Sequence, residues 1–265
     1  MSANQPELQI ATCAVCGEPI SFQQNLAHRE AQICGGCGSC PRFCGLALAV
    51  SRTVWREADR PLAQQPPRRD LVAIGISDDD RLARVFSEKF LYQNTRFHSE
   101  PYLDLCSAES CDLSFALDVI EHTIEPPVVP LKHLFSILKP GGTLILSVPT
   151  YLCPSTIEWY GGAERIEIDQ IRGSHSVRWR NKRRTEYIDD NPVFHGGPGS
   201  VLEMRIISHS ELLSIARALG LVADSLPFAP EWGYFWPIVR HSPYLPECAD
   251  ARVIVMSRPI ESASK

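Results

Sequence analysis

No run of apolar residues in this 265-residue chain reaches the roughly 18 needed to cross a bilayer, so a helical membrane protein is excluded. The polar start MSANQPELQ lacks the apolar core of a signal peptide, and a cytoplasmic enzyme is the default expectation. Charge of one sign is also scarce. The net charge is -5, from 26 basic and 31 acidic residues, which gives no global attraction to nucleic acid or to an anionic membrane. Any such binding has to come from a local patch. There is no internal repeat, which excludes solenoids and propellers.

What is present fits an ordinary globular protein: 44% hydrophobic and 22% charged residues, over a length that accommodates one α/β domain and a small appendage. Six of the ten cysteines crowd into residues 13–44, which is not how a disulfide scaffold distributes them. Cys13-x-x-Cys16 and Cys34-x-x-Cys37 are two tight pairs, each offering two thiolates to a tetrahedral ion, and Gly17, Gly35, Gly36 and Gly38 supply the backbone freedom such turns need. Cys13, Cys16, Cys34 and Cys37 are the favoured zinc ligands, with Cys40 or Cys44 as alternatives to Cys37. Four protein ligands leave no open position, so the zinc is structural or a recognition device. Residues 1–50 form this module. A proline-containing polar stretch, 51–69, reads as a linker, and the second unit spans 70–265.

From Asp70 onward strand and helix patterns alternate. Leu71 to Ile74 is a short strand ending at Gly75, and residues 80–89 set Leu82, Val85 and Phe86 on one helical face. FLYQNT (90–95), YLDL (102–105), CDLSFALDVI (111–120) and TLILSVP (143–149) are strand-like, and a helix over 126–138 is ended by Gly141-Gly142. Residues 151–200 read as an irregular insertion rich in Arg, Gly and His. Ser208 with Glu211 forms a capping box before LLSIARALG, Gly220 is the stop, and LVADSLPF (221–228) and ARVIVMS (251–257) are the last strands. Strands separated by helices at this spacing imply a parallel sheet covered on both faces.

The segments Ala73-Ile74-Gly75-Ile76-Ser77-Asp78, Leu103-Asp104-Leu105, Asp118-Val119-Ile120-Glu121-His122 and Leu138-Lys139-Pro140-Gly141-Gly142 resemble those of class I S-adenosylmethionine-dependent methyltransferases over about residues 70–260. A bacterial subgroup of that family also shares Asn94-Thr95, a stretch like NPVFHGGPGSVLEMR and a cysteine-paired N-terminus. The resemblance implies a Rossmann-like methyltransferase fold, an α/β architecture with a mostly parallel seven-stranded sheet, beside the small zinc-binding module. It also implies S-adenosyl-L-methionine as cofactor. The family's Gly-x-Gly-x-Gly loop is replaced here by Gly75-Ile-Ser77-Asp78-Asp79. A cofactor without phosphate can meet a hydroxyl or a carboxylate there instead. Asn94 and Thr95 stand where such folds place an acceptor for the ribose hydroxyls, and the resemblance puts Asp104 and Leu105 at the adenine. Asp118 and Val119 are expected near the methionine end or the acceptor, since ligands of open parallel sheets bind beyond the carboxyl ends of the strands.

A sulfonium methyl is already activated, so the chain has to align donor and nucleophile and take up a proton where the acceptor is a hydroxyl or amine. His122 and His195 are the candidate bases; His195 lies in a glycine-rich loop and is the less ordinary setting. Trp232, Tyr234, Phe235 and Trp236 could wall an acceptor pocket. The stretch Arg165 to Arg184 could hold phosphate or form a solvated face. The leading reading is methylation of an oxygen or nitrogen of a small molecule or glycan. The alternatives are an RNA or protein methyltransferase that recognises its target through the zinc module and basic stretch, and a non-catalytic binding protein that kept the fold.

Overall fold

The computed structural model describes residues 8–23, 33–57, 59–95, 107–151, 153–171, 174–195, 200–226 and 249–260. The N-terminal module holds a hairpin of β1 (Leu8–Thr12) and β2 (Pro19–Gln23), then α1 (Pro41–Trp55). In the main sheet β3 (Arg68–Ile76), β4 (Phe90–Thr95), β5 (Cys111–Leu117) and β6 (Leu138–Tyr151) run parallel in the order β4-β3-β5-β6. α2 (Asp80–Lys89) links β3 to β4, and α3 (Val128–Ile137) precedes β6.

Six short strands follow: β7 (Ile157–Glu158), β8 (Ala163–Ile171), β9 (Ser174–Asn181), β10 (Glu186–Asp189), β11 (Phe194–His195) and β12 (Val201–Leu202). β13 (Arg205–Ser208) pairs in parallel with the end of β6 and antiparallel with β7. After α4 (His209–Ala218), β14 (Val222–Leu226) and β15 (Ala249–Ser257) close the sheet, with β15 antiparallel to both β14 and β6. The result is the expected mostly parallel sheet, finished by an antiparallel hairpin. The strand expected at 102–105, carrying Asp104 and Leu105, and the aromatics at 232–236 lie outside the described residues.

Alternation along the strands divides the core into two layers. Ala73, Leu113, Phe115, Leu117, Ile145 and Val253 face α1 and α2, where Phe86 stacks on Phe115 with ring centroids 4.3 Å apart. Ile74, Ile76, Ala116, Leu144, Leu146, Val148, Ile254 and Met256 face α3 and α4. α1 therefore completes one covering layer of the sheet. It crosses the expected boundary at residue 50, and its Phe43, Leu46, Ala47 and Val50 are buried in the same core as the strands. The stretch expected as a linker is also docked. Leu62 is buried, the amides of Leu62 and Ala63 donate to the carbonyls of Ala14 and Val15, and Lys89 Nζ donates to the carbonyls of Ala63 and Gln65, each at 2.7 Å.

Two expectations need correction. The Gly141-Gly142 pair does not end α3, which stops at Ile137, but lies in the first residues of β6. There Gly141 has φ +82°, and a Cβ on Gly142 would stand 2.9 Å from the Lys139 carbonyl oxygen. The insertion is not irregular: β8, β9 and β10 form an antiparallel sheet over a small core of Tyr160, Val177, Leu202 and Met204. Among the described residues no helix is long and apolar enough to cross a membrane.

Candidate functional site

The two Cys-x-x-Cys-Gly turns fold alike. The first amide of each, Cys13 or Cys34, donates to the carbonyl five residues on, and Gly17 and Gly38, both at positive φ, donate back to the carbonyls of Cys13 and Cys34. The sulfurs of Cys13, Cys16, Cys34 and Cys37 lie within 4.8 Å of one another. Cys13 to Cys37 is 3.7 Å and Cys16 to Cys34 is 3.6 Å. A tetrahedral ion with metal–sulfur bonds of about 2.3 Å requires sulfurs about 3.8 Å apart, so the spacing fits a bound metal. Backbone amides are aimed at the sulfurs: Glu18 at Cys16, Gly36 and Cys37 at Cys34, Ser39 at Cys37. Burial alone would raise the Cys34 thiol, yet those amides and the neighbouring thiols hold it below its ordinary value. The Cys44 thiol and burial push Cys13 up, and burial raises Cys16 and Cys37. A cation bound among the four would favour the thiolates against the burial that raises them. Cys44 Sγ stands 3.9 Å from Cys13 Sγ, and all eight described cysteines are free of disulfides.

At the carboxyl edge of the parallel strands, Ser77 (φ +56°) and Asp118 (φ +52°) follow β3 and β5 in left-handed backbone conformations, which turn the chain sharply out of the sheet. The register pairs Ile76 with Ala116, so Asp78 and Asp118 each stand two residues beyond matched positions of neighbouring strands. Asp78 is buried. Its Oδ2 accepts from Tyr92 OH at 2.7 Å, whereas its Oδ1 is buried with no hydrogen-bond partner. Burial pushes the Asp78 carboxyl up to about 7, against the lowering effect of Tyr92 and Arg42. Asp118 Oδ1 accepts from Ser147 Oγ, and its Oδ2 lies 3.4 Å from Arg42 Nη1. Val119 is buried beside it.

Gly75, Asn94 and Thr95 shape this loop. A Cβ on Gly75 would fall 2.2 Å from Asp78 Oδ2 and Tyr92 OH, so the glycine makes room for the Asp78–Tyr92 pair. Asn94 accepts from the Asp78 amide and donates to its carbonyl, and Thr95 Oγ1 donates to the Gly75 carbonyl. Their side chains hold the loop.

Beyond β5, the turn Ile120–His122 places His122 against the insertion: its Nδ1 is 2.8 Å from the Leu202 carbonyl oxygen, which fixes the proton on Nδ1, and its Nε2 is 3.7 Å from Glu121 Oε1. His195 pairs through its backbone with Val201, one residue before that carbonyl. Sequence reasoning missed the residue that braces the turn. Arg205, almost fully buried, donates to Glu158, the Ile120 carbonyl and Thr123 Oγ1. It missed Arg42 and Tyr92 as well, because nothing in their sequence setting shows which strand end they reach.

Part of the basic stretch is paired with acids. Arg165 pairs with Glu167 at 2.6 Å and Arg178 with Asp169 at 3.2 Å, while Arg180 stands opposite Glu186 across β9 and β10.

No protein-family profile matches the chain, and no curated protein does. Among solved structures it is similar to the Haemonchus contortus phosphoethanolamine N-methyltransferase 2 in complex with S-adenosyl-L-methionine, with 10% identity, TM-score 0.44, and coverage of 81% of this chain and 52% of that one. It is similar to an S-adenosylmethionine-dependent methyltransferase from Mesorhizobium loti, with 12% identity, TM-score 0.38, and 81% and 100% coverage. A third is the Burkholderia thailandensis 1,6-didemethyltoxoflavin-N1-methyltransferase, with 11% identity, TM-score 0.37, and 80% and 84% coverage.

Proposed function

We propose that the chain is an S-adenosyl-L-methionine-dependent methyltransferase acting on an oxygen or nitrogen of a small molecule or glycan, with a structural zinc held by Cys13, Cys16, Cys34 and Cys37. The observation that carries the reading is the strand-end site: Asp78, buried with an unpartnered Oδ1, beside two residues at positive φ on neighbouring parallel strands. An unpartnered buried carboxylate oxygen suits a cationic group, and the amino-acid end of the cofactor carries an ammonium. Bound S-adenosyl-L-methionine supplies a methyl group already activated on sulfonium sulfur. The chain's own part is to orient it with Ser77, Asp78, Asp118 and Val119, and to remove a proton from the acceptor. His195 is the leading base and His122 the second, with its Nε2 the nitrogen able to accept. The net charge of -5 offers no global attraction to an RNA acceptor.

Calorimetric titration with S-adenosylhomocysteine is expected to show one site per chain. Incubation with labelled cofactor and candidate acceptors is expected to label one of them, with His195→Ala lowering turnover by roughly 100-fold at unchanged cofactor affinity. Absence of S-adenosylhomocysteine binding would leave the non-catalytic reading in its place.

A further inference from the structure

The cysteine module reaches into the strand-end site. Arg42 lies in the first turn of α1, five residues after Cys37 and two after Cys40, and its guanidinium is 3.4 Å from Asp118 Oδ2 with both side chains largely buried. Its Cζ stands 4.9 Å from the centre of the Phe43 ring, as does that of Arg81. Arg81 also bridges, donating to the Gly38 carbonyl of the second cysteine turn and to Asp79, the N-cap of α2. The second knuckle, the start of α1 and the loop after β3 are thus bound together. The edge they form presents two carboxylates from the sheet, Asp78 and Asp118, and one guanidinium from the module. That layout complements a zwitterion, an ammonium for the acids and a carboxylate for the fork of arginine donors.

Resting on the methyltransferase reading, we propose that Arg42 takes the carboxylate of the cofactor's amino-acid end while Asp78 and Asp118 take its ammonium, which makes the cysteine module part of the cofactor site. The fold places Arg42 there only while the second knuckle and α1 keep their geometry, so the module's metal acts on cofactor binding through this side chain.

Two ligands separate this from a general structural role. S-adenosylhomocysteine carries the amino-acid end; methylthioadenosine has the same nucleoside and thioether without it. Titrating the full chain and its Arg42→Met and Arg42→Lys variants with both is expected to show at least about a tenfold loss of S-adenosylhomocysteine affinity in Arg42→Met. Part of it should return in Arg42→Lys, with methylthioadenosine affinity and metal content unchanged. Equal loss for both ligands, a loss accompanied by missing metal, or no loss for either gives Arg42 no part in holding the carboxylate and overturns the proposal. A parent chain that binds neither ligand overturns the methyltransferase reading itself, and this inference with it.

Discussion

Asp78 shows how a single residue can be costly to the fold and useful to the site. Its carboxyl is pushed up to about 7 by burial, against about 3.9 for an unperturbed aspartate. Between these values the folded chain binds more protons than the unfolded one, so the contribution of Asp78 to stability falls as pH rises from about 4 to about 7. Three pH units correspond to an upper bound of about 4 kcal/mol. Asp78→Asn keeps an acceptor for Tyr92 OH and does not titrate. Its stability relative to the parent is expected to increase steadily across that range in urea unfolding without ligand; a difference that stays constant with pH would refute the assignment. Tyr92 belongs to the same unit, its phenol raised by burial and by Asp78. Gly75 acquires its reason here. The sequence marks it as the first glycine of a family-like loop, and the space beside it is filled by Asp78 and Tyr92. Any Cβ at position 75 disturbs the carboxylate first and a ligand only through it.

At the scale of elements, the most legible parts were those where apolar residues recur without interruption. The helix at 80–89, the strand at 90–95 and the Ser208 cap are where the pattern puts them, Ser208 Oγ accepting from the Glu211 amide. The insertion was illegible because its strands alternate isoleucine, valine or tryptophan with charged residues, and the density of arginine hides a period of two. Paired across β8, β9 and β10, Ile166, Trp179 and Tyr187 share one face, with Trp179 stacked on Tyr187 at 4.4 Å. This insertion is pinned to the turn carrying His122 by Arg205, by the Leu202 carbonyl on His122 and by the Met204 amide on the Glu121 carbonyl. Arg205→Met would leave Thr123 Oγ1 without its donor and Glu158 without its partner, and would take one donor from the Ile120 carbonyl, which keeps Thr123 Oγ1, at a cost of about 2 to 3 kcal/mol, since Glu158 keeps some contact with water. Faster amide exchange is expected in segments 120–123 and 201–208, with the strands β3 to β5 unaffected. Uniform acceleration across the chain would make Arg205 an ordinary core residue rather than a local brace.

For the whole molecule, the division into a metal module, a linker and an enzyme domain describes the sequence better than the fold. Short cysteine-rich segments cannot bury a core alone, and the sequence shows no reason why this one should share a core with residues a hundred positions away. In the structure α1 covers one face of the sheet beside α2, and Leu62, Ala63 and Lys89 lock the intervening segment to the first cysteine turn. A metal held by the four cysteines would therefore be linked to the folding of the entire chain and not to residues 1–50 alone. Removing the metal with a chelator, or replacing Cys37 by serine, is expected to lower the melting temperature of the whole protein by about 6 to 20 °C in a single transition. This follows if 3 to 5 kcal/mol of the binding energy is transmitted, at roughly 2 to 4 °C per kcal/mol for a chain of this size. Circular dichroism of the sheet and metal release followed by a chromogenic chelator should then share one midpoint. Two separated midpoints, with the sheet melting as before once the metal has left, would show the module to be an independent appendage. In that case Arg42 would reach Asp118 without help from the four cysteines.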